Sequence, residues 1–155
     1  MSNESDTREY DPVPRDSEDV EREVGELSSR VLDMLQIKGK VTDLAPMAGP
    51  CEMGDESVKK YRIVDHPWSL HGVGNSVLSK GMENLADKLP GQGWKIVKHG
   101  LDASKNKNLQ ILAVHRKTYT QLEVTWMKGL DGHEPMISVD LYSRCFRDSP
   151  SSNDK

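Results

Sequence analysis

Apolar residues recur along this chain at two spacings, and the two spacings separate helices from strands. Val20, Val24, Leu27, Val31 and Leu35 lie four, three, four and four positions apart, which puts them on one stripe of an amphipathic helix. Leu32 and Met34 widen the stripe. Ser17 is a good N-cap, Glu18, Asp19 and Glu21 suit the positive end of the helix dipole, and Lys38-Gly39 supplies a stop. Gly25 interrupts the pattern and reads as a tolerated surface glycine. A second stripe, Val77, Leu78, Met82, Leu85, Ala86 and Leu89, starts near Asn75 or Ser76 and is stopped by Pro90-Gly91.

Elsewhere the period is two. A short strand is predicted at 40–44 and a longer one at 58–64, ended or bent at His66-Pro67-Trp68-Ser69 because Pro67 cannot donate to a ladder. Four more strands follow at 94–99, 109–116, 119–127 and 135–146, separated by polar turns. In the last, Ile137, Val139, Leu141 and Cys145 face one side, and Asp140, Tyr142 and Arg144 the other. Leu122, Val124 and Trp126 share one side of the strand before it. One-sided amphipathicity predicts an α+β, two-layer domain: an antiparallel sheet of about five strands, two helices packed on one face, the other face solvated.

The flanks differ in composition. Residues 1–16 have almost no apolar content and contain Pro12 and Pro14, so they read as a disordered acidic tether. Residues 148–155 read as a disordered tail, leaving 17–147 as a single domain. Charge follows the same division: residues 1–26 hold ten acids against three arginines, whereas the remainder is mildly basic. No apolar run reaches membrane-spanning length, and the opening Met-Ser-Asn-Glu-Ser-Asp lacks the basic and apolar regions of a signal peptide.

Candidate chemistry is sparse. Two cysteines exclude a multi-disulfide scaffold and a four-cysteine zinc site. Cys51 and Cys145 form either one disulfide or two unrelated buried thiols; a bridge would imply an oxidising compartment. His66 and His71 flank Trp68, but no histidine pair has helical metal-ligand spacing, and no metal or other cofactor is expected. Gly72-Val73-Gly74-Asn75-Ser76 opens the second helix and reads as capping rather than as an anion site. No nucleophile elbow or arranged triad nominates catalytic residues. Lys95, Lys98, Lys105, Lys107, Arg116, Lys117 and Lys128 make at most a weak basic patch, so nucleic acid is not an expected partner. Trp94 reads as core. Trp68, in a Pro-flanked loop, reads as the better surface anchor.

Several segments taken in order carry a resemblance. They are Val31-Leu-Asp-Met-Leu-Gln-Ile-Lys-Gly-Lys-Val-Thr-Asp, Gly49-Pro-Cys51, His66-Pro-Trp-Ser-Leu-His-Gly-Val, Lys80-Gly-Met-Glu-Asn-Leu, Gly93-Trp-Lys-Ile-Val and Ser143-Arg-Cys145-Phe. Over residues 28–147 the chain resembles small secreted actinobacterial lipoproteins of the Streptomyces type. The resemblance implies an envelope location and a Cys51–Cys145 disulfide, and brings no known activity or catalytic residues. Membrane contact would come only through an N-terminal lipid anchor that this chain does not carry. The expectation is a non-enzymatic extracytoplasmic domain that binds a protein or cell-envelope ligand through the open sheet face and the loop bearing His66, Trp68, His71 and Asn75. The alternative is a secreted enzyme inhibitor or immunity-type protein.

Overall fold

The computed structural model describes residues 13–43, 45–51 and 61–149. The first apolar stripe forms α1 (Ser17–Leu35), burying Val20, Val24, Leu27, Ser28, Val31, Met34 and Leu35. Its N-cap is Asp16, not Ser17: Asp16 Oδ1 accepts from the Glu18 N–H at 3.2 Å. Ser17 instead donates its hydroxyl to Asp148 Oδ1 at 2.9 Å. The helix also ends earlier than Lys38-Gly39, at Gln36 in the left-handed region (φ 53°). Gly39 serves packing instead, since a Cβ there would lie 2.7 Å from Leu70 Cδ2 and 2.8 Å from the His71 carbonyl.

The second stripe forms α2 (Asn75–Lys88), with Leu78, Gly81, Met82 and Leu85 buried. The Asn84 side chain of α2 donates to the Leu35 carbonyl at 2.8 Å, satisfying one of the open carbonyls at the end of α1.

The strands are β1 (Pro14–Arg15), β2 (Lys40–Asp43), β3 (Met47–Pro50), β4 (Tyr61–His71), β5 (Trp94–Leu101), β6 (Leu109–His115), β7 (Gln121–Met127), β8 (Met136–Tyr142) and β9 (Phe146–Asp148). They form one mixed sheet of nine strands, where about five were expected. The difference lies around β4. Trp68 pairs with both Asp43 and Val139, and Arg62 with both Pro50 and Phe146. One edge of β4 is therefore lined by β2 then β3, and the other by β8 then β9. Two long partners are each broken in two, which raises the strand count without widening the sheet equally. From β8 the sheet continues antiparallel through β7 and β6 to β5, and β1 pairs parallel with β9.

Residues read as a loop, His66 to His71, are the second half of β4. Pro67 pairs with Asp140 on one side and faces the break between β2 and β3 on the other. Its missing N–H therefore removes no ladder bond there. A second correction concerns the last strand, which is interrupted at Ser143–Cys145. The Ser143 N–H donates to the Val64 carbonyl and its hydroxyl accepts from the Val64 N–H, both at 2.9 Å. The interruption shifts the alternation, so Phe146 is buried and Cys145 is only half-buried.

Inward residues of β4, β6, β7 and β8 join the buried stripes of both helices in one core, which includes Val64, Trp68, Leu70, Ile111, Val124, Val139 and Leu141. Cys51, just after β3, and Cys145, just before β9, form a disulfide with a Cα–Cα distance of 6.0 Å. It joins the two flanks of β4. The folded body also reaches further than 17–147, taking in Pro14, Arg15, Asp16 and Asp148. Residues 1–12 of the expected tether and 150–155 of the expected tail lie outside the described residues.

Candidate functional site

Strand register decides which side chains meet on the sheet face turned away from the helices. Thr42, Ser69, Ser138, Thr125 and Gln110 follow one another across β2, β4, β8, β7 and β6. Ser69 Oγ donates to Thr42 Oγ1 at 3.2 Å, and Lys98 Nζ donates to Gln110 Oε1 at 3.2 Å. Beside this hydroxyl row lies an acidic cluster. Glu123 pairs with Asp140 across β7 and β8, while Tyr142 pairs with Gln121 on β7 and Asp65 on β4. The Tyr142 hydroxyl donates to Glu123 Oε2 at 2.7 Å.

Crowded like charges raise the cost of ionising this cluster. Desolvation, a hydrogen bond with Asp65, and the charges of Asp65 and Glu123 push the Asp140 carboxyl up to about 8. Below that pH the Asp140 carboxyl keeps its proton. Burial and the bond to Glu123 push the Tyr142 phenol above its ordinary range. Asp140 Oδ1 is buried without a hydrogen-bond partner among the described residues.

Between about pH 4 and about pH 8 the folded chain holds a proton at Asp140 that the unfolded chain has lost, so stability falls as pH rises through that window. Asp140→Asn removes the ionisation. It should stabilise the protein by about 1–2 kcal/mol at about pH 9, after discounting for solvent screening, and by far less at about pH 5. Urea unfolding of both chains at the two pH values checks this; an equal gain at both would mean that Asp140 ionises as readily in the folded chain as in the unfolded one.

The four residues expected to bind a ligand are not brought together. His66 and Trp68 are 7% and 6% exposed and point into the core. His66 Nδ1 lies 2.6 Å from Ser28 Oγ on α1. Trp68 is thus a core residue rather than a surface anchor, because β4 continues through Pro67. His71 falls on the opposite parity of β4, where its Nδ1 lies 3.2 Å from Glu134 Oε2, so the two histidines cannot share one metal. Asn75 is the first residue of α2; it accepts from Trp126 Nε1 at 2.9 Å and donates to the Lys128 carbonyl at 3.1 Å, tying the helix to the end of β7.

No helix among the described residues is long and apolar enough to cross a membrane, and no group of three or more His, Cys, Asp or Glu among them could hold a metal ion. Compared with family models, curated proteins and solved structures, the chain matches none.

Sequence reasoning placed Asp140 and Tyr142 on the outward face but missed the cluster. Its members come from β4, β7 and β8, and only the pairing register makes Asp65 and Glu123 their neighbours. The signal was present as acids at outward positions of three strands, without a way to align them.

Proposed function

We propose that the protein is a non-enzymatic extracytoplasmic domain that binds a protein or cell-envelope ligand through the sheet face opposite its helices. The observation that carries this reading is the carboxyl cluster of Asp65, Glu123 and Asp140 on that face. A cationic group brought against this face would favour the ionised form of Asp140 and offset the charges of Asp65 and Glu123, so the face suits a basic partner surface. The Cys51–Cys145 bond supports the compartment, because structural disulfides persist in oxidising surroundings. The lipoprotein resemblance supports attachment at the cell envelope.

The test compares immobilised wild type with Glu123→Lys, each exposed to culture supernatant and envelope extract of the producing organism. A species held by the wild type and lost by the variant, at matched thermal stability, supports the reading. Equal retention by both would move the contact off this face. One dominant secreted enzyme among the retained species would recast the protein as an inhibitor or immunity-type protein.

A further inference from the structure

A groove of about 550 Å³ lies on the helix side of the sheet, between α1 from Val20 to Arg30, β1, the β6–β7 turn and the β8–β9 junction. Its apolar lining comes from Val13, which is 48% exposed, and from Val20, Leu27 and Phe146, which belong to the core. Its charged lining is unbalanced: Arg15, Arg30, Lys117 and Arg144 stand against Glu23 and Glu26. Glu23 is engaged by Arg15 at 3.1 Å, and the Arg144 guanidinium lies 4.6 Å from the Tyr119 ring. Arg30, from α1, and Lys117, from the β6–β7 turn, are exposed side chains that line the groove.

His115, the last residue of β6, also lines the groove. Glu23, Arg30 and Lys117 are all near enough to act on it electrostatically, and burial lowers its affinity for a proton. The Thr118 N–H donates to His115 Nδ1 at 3.3 Å and the Thr118 hydroxyl lies 3.0 Å from the same nitrogen, and burial favours the neutral ring. A neutral histidine leaves the excess positive charge to the Arg and Lys side chains. Cations above an apolar floor, in a groove of ligand size, suit a molecule with an anionic head and an apolar body.

We propose that this groove binds a small amphiphilic carboxylate, with the carboxylate held between Arg30 and Lys117 and the apolar body against the exposed Val13, above the floor made by Val20, Leu27 and Phe146. The site is independent of the sheet face: its residues come from the helix side and one edge of the fold. A planar guanidinium favours a carboxylate through paired hydrogen bonds, and the ammonium of Lys117 adds a second charge.

The experiment is calorimetric titration of the intact, oxidised protein with octanoate, acetate, octylammonium and N-acetyl-leucine. Octanoate should bind at least tenfold more tightly than each of the other three. The double variant Arg30→Gln/Lys117→Gln should weaken octanoate at least tenfold with an unchanged thermal midpoint, since both residues are exposed. Absence of octanoate binding at millimolar concentration overturns the proposal. So does equal affinity for acetate, which would make the groove a bare anion site, or for octylammonium, which would remove the charge argument. Preference for N-acetyl-leucine would replace the free acid with a peptide C-terminus. Glu123→Lys should leave octanoate binding unchanged, which separates failure here from failure of the sheet-face reading.

Discussion

Trp68→Ala should lower folding stability by about 3–5 kcal/mol. Trp68 sits mid-β4, paired with Asp43 on one side and Val139 on the other, and its side chain belongs to the shared core. Removing the indole empties a volume that β4 cannot collapse into, because ladders hold the strand on both edges. The indole carries a burden of its own: its Nε1–H is buried with no hydrogen-bond partner among the described residues. Trp68→Phe deletes that donor and keeps most of the apolar volume. It should therefore destabilise much less than Trp68→Ala, by about 1–2 kcal/mol. Urea unfolding of the three chains gives both differences. A loss below 1 kcal/mol for Trp68→Ala would return Trp68 to an exposed loop and β4 to a shorter strand.

Breaking the Cys51–Cys145 bond should rank beside it. The bond closes a loop of 94 sequence positions, for which chain entropy predicts about 4–5 kcal/mol, and loss of such bonds from small domains typically costs about 2–5 kcal/mol. The ends are well placed for constraint: the Cys51 N–H donates to the Tyr61 carbonyl at 2.9 Å on one flank of β4, and Cys145 precedes β9 on the other. The double variant Cys51→Ala/Cys145→Ala should shift the urea midpoint downward, and reductant should lower the wild type toward it. Insensitivity of the wild type to reductant, with two thiols alkylating after unfolding alone, would mean that no bridge forms in solution.

Much of the architecture was legible because its signals are local. The stripes from Val20 to Leu35 and from Val77 to Leu89 predicted both helices, and the alternation at Leu122, Val124, Ile137 and Val139 predicted inward faces that are buried. What failed depended on distant neighbours. Val64, Trp68 and Leu70 alternate as an inward face should, yet Pro67 argued for a bend. The rule behind that argument holds only where the ladder needs the missing N–H, and the gap between β2 and β3 cannot be seen from β4 alone. Counting by twos from Ile137 put Cys145 inward because nothing in the sequence announces the interruption that Ser143 makes. The acidic cluster and the groove were less legible still. Each gathers residues from segments far apart in the chain, and composition there says only that the positions are polar.

β1 and β9 lie side by side and run the same way, held by bonds from the Arg147 N–H to the Val13 carbonyl at 2.9 Å and from the Ser149 N–H to the Arg15 carbonyl at 2.7 Å. Tension applied across the two ends of the described body would pull these strands in opposite directions along their length, loading both bonds together instead of one after the other. Should they yield, the covalent path runs from residue 13 to Cys51, crosses to Cys145 and leaves through 149. The chain from residue 52 to residue 144, including α2 and the strands from β4 to β8, is bypassed by that covalent path and cannot be drawn out while the bridge holds.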